Sequence, residues 1–270
     1  MEEYANVSPK ALREEIRSGK FTGKTSGCCK GYVQANLVIL PKRYADDFAK
    51  FCERNPKPCP ILEVLEPGNP CPKIMARGAS IATDLPSYRI FRKGELVEER
   101  SDIAALWQDD FVGFLIGCSF SFEGALLENG IDVRNITDKH MVSHYVTNIP
   151  CAPGGIFSGP IVVTMRPIPA DRVDDAYRIT GRFPHVHGMP IYHGDPSRIG
   201  IADLGKTYLG APSRIEPGEV PVFWACGVTP QLAISQAKPD LVITHTPSCM
   251  FVCDIPDVDI EAVLSGQCDG

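Results

Sequence analysis

The chain has 270 residues, 44% of them apolar and 22% charged, and a net charge of −6. That length allows one large domain or two smaller ones around a substantial core, and the composition is ordinary for a globular protein. The acidic balance gives no electrostatic footing for nucleic acid or an anionic membrane surface, and no run approaches the roughly 18 apolar residues of a membrane helix.

The leading MEEYANVSPKALREE has no apolar signal core, so the cytoplasm is the expected compartment. Eleven cysteines, an odd number, then read as reduced thiols. No CxxC occurs, and Cys52, Cys59 and Cys71 are too loosely spaced for a zinc ribbon.

Ser8-Pro9 forms an N-cap and first-turn pair, which predicts a helix through ALREEIRSG to a stop at Gly19. Ala35 to Leu40 is β-compatible and ends at Pro41. RYADDFAKFCERN then places Tyr44, Phe48, Phe51 and Cys52 on one helical face. NPKPCPILEVLEPGNPCP reads as loop around one short strand, and SYRIFRKGELVEER as a hairpin about Lys93-Gly94. FVGFLIG predicts a strand feeding a helix, FEGALLENG, that stops at Gly130. From Ile131 to Ile199 come strands at VSHYVTN and PIVVTMRPI, a helix in PADRVDDAYRITGRF and a strand at MPIYHG. VPVFWACG is then a strand, TPQLAISQAK a helix, and LVITHTP and MFVCD final strands. The expected architecture is an α/β main domain, 1–130 plus 200–270, with an inserted smaller α+β domain at 131–199.

One spacing occurs twice. Cys118 in GCSFSFEGAL and Cys226 in ACGVTPQLAI each open a run, with Ser121 and Thr229 three residues on, Glu123 and Gln231 five on, and Ala125 and Ala233 seven on. Both runs follow an apolar segment and precede a helix. A strand turning into a helix leaves free N–H groups at the positive end of the helix dipole, where carboxylates and oxyanions bind and thiols are activated. Two such places facing one cleft suit a small dicarboxylate. Against this stands the plain reading, buried cysteines and ordinary helix caps.

Several stretches together resemble one family. GYVQANLVILP, TDLPSYRI, GCSFSFE, GGIFSGPIVVTMRP, HGMP, IGI, EVPVFWACGVTPQ and ITHTP, in that order and spanning roughly Ile16 to Asp254, are similar to the D-glutamate cyclases, whose bacterial members also carry a hydro-lyase label. The resemblance implies a two-part fold and conversion of D-glutamate to 5-oxo-D-proline with loss of water. The chain departs from the family's pattern in three places: Tyr192, followed by His193, stands where a second His is usual, and both RGASIATDLP and KTYLGAPSR (Lys206 to Arg214) are unusual.

That reaction needs a base for the amine, donors for the tetrahedral oxyanion and a proton for the departing oxygen. Glu123 is the expected proton carrier, with Cys118, Cys226 and His245 as further catalytic candidates. Main-chain N–H groups near Cys118-Ser119 and Gly227-Val228 would hold the oxyanion. Ser121, Thr229, Gln231, Thr244 and Arg166 are expected to bind the substrate, Arg166 by a two-pronged contact. Asp84 or Asp110 would hold the ammonium. His185, His187 and His193 are weighed as metal ligands, but Pro184 and Gly188 favour a loop, and Trp224 reads as core. No metal site and no cofactor is predicted, although a divalent metal is left open. The expected partner is a small dicarboxylate or amino acid, and a homodimer is allowed. Two competing readings are a two-thiol racemase or epimerase and a non-catalytic dicarboxylate-binding module. No GxGxxG, Walker A or HExxH motif supports a nucleotide or zincin reading.

Overall fold

The computed structural model describes residues 2–266. Helix α1 (Pro9–Arg17) starts where Ser8 predicts, the serine hydroxyl accepting the Ala11 N–H at 3.3 Å. Strand β1 (Tyr32–Pro41) runs into α2 (Lys42–Arg54), which buries Ala45, Phe48, Phe51 and Cys52 and leaves Tyr44 at its border. The Pro-rich stretch holds β2 (Ile61–Val64), and the loop beyond it is pinned by Glu63, whose carboxylate accepts the N–H groups of Lys73, Ile74 and Met75. The hairpin β3 (Tyr88–Arg92) and β4 (Glu95–Arg100) turns at Lys93 and Gly94, both left-handed at φ 52° and 83°. That is the turn geometry whose twist matches paired strands.

Strand β5 (Phe111–Gly117) feeds α3 (Phe120–Glu128) and then the short α4 (Arg134–Thr137). Next come β6 (Ser143–Pro150), β7 (Pro160–Pro169), α5 (Val173–Thr180), the two-residue β8 (Tyr192–His193) and β9 (Glu219–Ala225). The chain closes with α6 (Val228–Ala237), β10 (Val242–His245), β11 (Phe251–Pro256) and α7 (Ile260–Leu264). Helices α4 and α7 were not predicted, because four or five residues are too few to display a helical period.

Two sheets result. The first has the order β2-β5-β1-β10-β3-β4, with β11 also on β1, and the second β6-β7-β9-β8. The mixed helix and sheet content is as expected, but every pairing is antiparallel, so neither sheet is the parallel kind that alternating α/β units build. The second sheet also reaches past the expected boundary at 199, because β9 at 219–225 pairs along seven positions of β7. One apolar core joins residues of both sheets, among them Leu37, Leu115, Phe122, Ile168, Val222 and Trp224. Trp224 is fully buried there, its indole N–H donating to Thr180 Oγ1 at 3.1 Å. All ten described cysteines are free thiols, nine of them buried, while Cys268 lies outside the described residues.

Candidate functional site

The repeated spacing is a repeated structure. Strand β1 pairs β5 from Ala35↔Gly117 to Pro41↔Phe111, and β7 pairs β9 from Val163↔Ala225 to Pro169↔Glu219. The two registers coincide, and β1 and β7 are each ten residues long and each end in proline. Cys118 and Cys226 follow β5 and β9 at once, and α3 and α6 both begin two residues after the thiol. The residues between, Ser119 (φ −63°, ψ −14°) and Gly227 (φ −64°, ψ −2°), share one conformation.

The hydrogen bonds repeat as well. Ser121 N–H donates to the Cys118 carbonyl at 3.2 Å and Thr229 N–H to the Cys226 carbonyl at 2.9 Å. Gln34 N–H donates to Ser121 Oγ at 3.3 Å, and its counterpart Val162 N–H donates to Thr229 Oγ1 at 2.9 Å. Each thiol faces the N–H two residues on, Phe120 for Cys118 and Val228 for Cys226. Burial nevertheless dominates and pushes Cys118 up to about 12 and Cys226 up to about 11, so both stay protonated at neutral pH. The N–H groups of Ser119 and Gly227 find no backbone carbonyl among the described residues.

Both junctions open on one cavity of about 50 Å³. Its walls include Cys118, Ser119, Cys226, Gly227, Gln231 and His245 of the expected set. The structure adds Asn36 of β1, Thr164 of β7 and His144 of β6, with Leu209, Met141, Met250 and the Pro247-Ser248 turn at its edge. Asn36 and Thr164 hold the same register position in their strands, one on each side of the pocket. The Asn36 amide donates to the Gly117 carbonyl at 2.8 Å and lies so close to Gly227 that a Cβ there would collide with it. Gly117 is likewise required by space, since a Cβ would strike the His185 carbonyl. Among the described residues, no Asp, Glu, Lys or Arg lines the cavity.

Three buried imidazoles surround this region, and burial is the main cause that lowers each to about 4. His245 Nδ1 lies 3.1 Å from the Leu37 N–H and 3.4 Å from the Leu37 carbonyl. The shorter contact makes Nδ1 the acceptor and leaves the proton on Nε2. His187 Nδ1 donates to the Lys57 carbonyl at 2.8 Å, and the residue sits in the left-handed region at φ 83°. It therefore fixes that turn. His144 differs, because its buried Nδ1 has no partner among the described residues.

Glu123 and Arg166 do not face the cavity, which corrects the expectation that the first carries protons and the second grips substrate. Arg166 Nη2 meets Glu123 Oε1 at 2.5 Å and Ser119 Oγ at 3.2 Å, while Nη1 donates to Thr164 Oγ1 at 3.1 Å. The guanidinium is packed between Phe122 and Trp224, 5.3 and 5.4 Å from the ring centres. Both ions are almost fully buried and paired to each other, with Arg166 Nε left without a partner among the described residues. Arg166 instead holds Ser119 and Thr164, which do line the wall.

Other expected residues serve the frame. Thr229 Oγ1 also donates to the Val162 carbonyl, Ser121 Oγ receives Gln34, and Thr244 Oγ1 donates to the His245 carbonyl at 3.1 Å. Asp84 is remote from the cavity and fully buried, with Arg17 on both carboxylate oxygens at 2.5 and 2.8 Å and Ser80 N–H and Thr83 Oγ1 as further donors. It locks α1 rather than an ammonium. Asp110 precedes β5, at the end away from Cys118. His185 pairs Glu261 at 2.6 Å and His193 meets the Tyr177 hydroxyl at 3.1 Å, so the three loop histidines take separate partners. Among the described residues no group of three His, Cys, Asp or Glu is arranged to hold a metal ion. No described helix is long and apolar enough to cross a membrane.

The fold and site together define a two-sheet, antiparallel α+β protein whose pocket is walled by two copies of one strand–helix junction. The D-glutamate cyclase family model matches residues 112–254, from β5 through both junctions to β11. A protein of Stutzerimonas stutzeri strain A1501 named "Putative hydro-lyase" is 56% identical over 96% of this chain and 98% of its own. "Putative hydro-lyase YcsI" of Bacillus subtilis strain 168 is 56% identical over 96% of this chain and all of its own. The chain belongs to the D-glutamate cyclase family. Among solved structures, a nitrogen repressor-like protein from Methanococcus jannaschii aligns over 90% of this chain at 11% identity and a TM-score of 0.39, too slight a likeness to argue from.

Proposed function

We propose that the chain is a hydro-lyase that closes D-glutamate to 5-oxo-D-proline with release of water, in the cavity between Cys118 and Cys226. The observation that carries this reading is the doubled junction. Two helix N-termini, each with a main-chain N–H lacking a backbone partner, open on one pocket with no carboxylate in its walls. A small dicarboxylate supplies the two negative ends such a pocket lacks. Its γ-carboxyl would sit at one junction, where the N–H groups meet the oxyanion of the tetrahedral intermediate, and its α-carboxylate at the other. Holding both ends folds the chain and brings the amine onto the γ-carbon. The two protons that nitrogen sheds are the two that leave with the oxygen as water.

The test is incubation with D-glutamate, L-glutamate and a panel of small amino and hydroxy dicarboxylates, followed by mass spectrometry for loss of one water. Formation of 5-oxo-D-proline from D-glutamate is expected. Absence of dehydration across the whole panel would overturn the reading. A second reading draws on the matched settings of the two thiols: one takes a proton from a substrate carbon and the other returns it to the opposite face. Solvent deuterium at Cα separates the two, since cyclisation requires none.

A further inference from the structure

We infer that His144 is the group that carries protons in this pocket, with His245 opposite it as a fixed hydrogen-bond donor. The inference rests on the dehydration proposed above and assigns within it a role that Glu123 cannot fill, because that carboxylate is held by Arg166 behind the wall.

Among the described residues, four titratable side chains line the cavity: Cys118, Cys226, His144 and His245. The thiols are held protonated by burial and have no free electron pair of useful basicity. His245 is committed by the fold, since Leu37 N–H occupies Nδ1 and the ring offers an N–H. His144 is the imidazole whose ring makes no defined side-chain hydrogen bond among the described residues, the Val142 and Leu209 carbonyls acting on it only by favouring its protonated form. Its main chain is firmly held, the N–H donating to the Leu209 carbonyl at 2.9 Å and the carbonyl accepting Tyr208 N–H at 2.7 Å. Its ring nitrogen Nδ1, by contrast, is buried and unpartnered among the described residues. A buried polar atom without a partner is uncommon, and an occupant or a functional role is its usual explanation. A rigid backbone under an uncommitted ring is what a proton shuttle requires.

The environment tunes it. Burial lowers the ring to about 4, with Arg166 acting the same way and the Val142 and Leu209 carbonyls against it, so the ring is neutral at neutral pH. The two carboxylates of a bound substrate would raise the ring's basicity and bring it closer to that of the amine. Neutral His144 takes one ammonium proton and the amine attacks the γ-carbon, forming the C–N bond. The resulting imidazolium protonates the γ-oxygen. The second nitrogen proton then travels the same way, the C–O bond breaks, and water departs with His144 neutral again. Atoms and charge balance without an oxidant or other co-reactant.

The experiment compares parent, His144→Gln, His144→Ala and His245→Asn, with turnover of D-glutamate and calorimetric binding of 5-oxo-D-proline as readouts. His144→Gln should lower turnover by about 100-fold or more while binding stays within about threefold, the usual scale for loss of a general base. Added imidazole should restore part of the turnover lost in His144→Ala, which a merely structural role would not allow. His245→Asn keeps both an acceptor for Leu37 and a donor, and should lower turnover by less than His144→Gln does. His144→Gln turnover within about tenfold of the parent would sink the assignment. So would an equal loss of binding, or no response of His144→Ala to imidazole. A parent that dehydrates nothing sinks the underlying reading instead, and the two failures are told apart by the parent alone.

Discussion

Asp257 follows β11, its main-chain N–H bound to the Gly31 carbonyl at 2.8 Å and its Oδ1 buried without a partner among the described residues. Burial raises its pKa from 3.8 to about 7, and the Ser121 hydroxyl works the other way without cancelling it. A carboxyl raised in the folded state binds its proton more tightly there than in the unfolded chain. Its favourable contribution is therefore complete below about pH 4 and disappears as pH rises through about 7. Asp257→Asn should thus stabilise the protein by about 1 kcal/mol or more at pH 8 and by clearly less at pH 5, measured by urea unfolding at both values. An equal gain at the two pH values would contradict the account. Single residues of this kind were hard to read from sequence. His144 sits in VSHYVTN, which reveals a strand but not which face meets a cavity. Asp84 and Glu123 announce carboxylates but not their arginines, 67 and 43 positions away.

The β5–α3 and β9–α6 junctions were the most legible elements, because cap residues, proline and the strand-to-helix change all leave local marks. The Cys, Ser/Thr and Ala spacing pointed to two similar turns, and their backbone angles and hydrogen bonds repeat. The partner strands were not legible as a pair. YVQANLVILP and PIVVTMRPIP share little beyond their closing proline, since a ladder is specified by backbone register and alternation, which many side chains satisfy. What ties the junctions together is also nonlocal: Arg166 on β7 crosses to Glu123 on α3, between Phe122 and Trp224. Removing one partner strands a buried charge. Arg166→Met should destabilise the protein by about 3–5 kcal/mol, and Arg166→Met with Glu123→Leu should recover most of that. Chemical denaturation of the single and double variants checks it, and a double variant no better than the single would refute the pairing energetics. Stability recovered without activity would mark the pair as the support that positions Ser119 and Thr164.

At the scale of the whole molecule, neither the order of the strands nor their uniformly antiparallel pairing could be deduced from their sequence. Antiparallel partners arrive from distant parts of the chain, as β10 does on β1, and local pattern carries no record of that. The divergent segment 206–214 gains meaning only in three dimensions, where Leu209 reaches the pocket wall and its carbonyl steadies His144. Cys118 follows a strand of the first sheet and Cys226 a strand of the second, so the pocket is a seam between the two sheets. The two cysteine residues at this seam are only 9% and 8% exposed. Reagent reaches either thiol only through that seam, so alkylation of Cys118 and Cys226 should run far slower than that of surface Cys71, and slower still with a dicarboxylate bound between them.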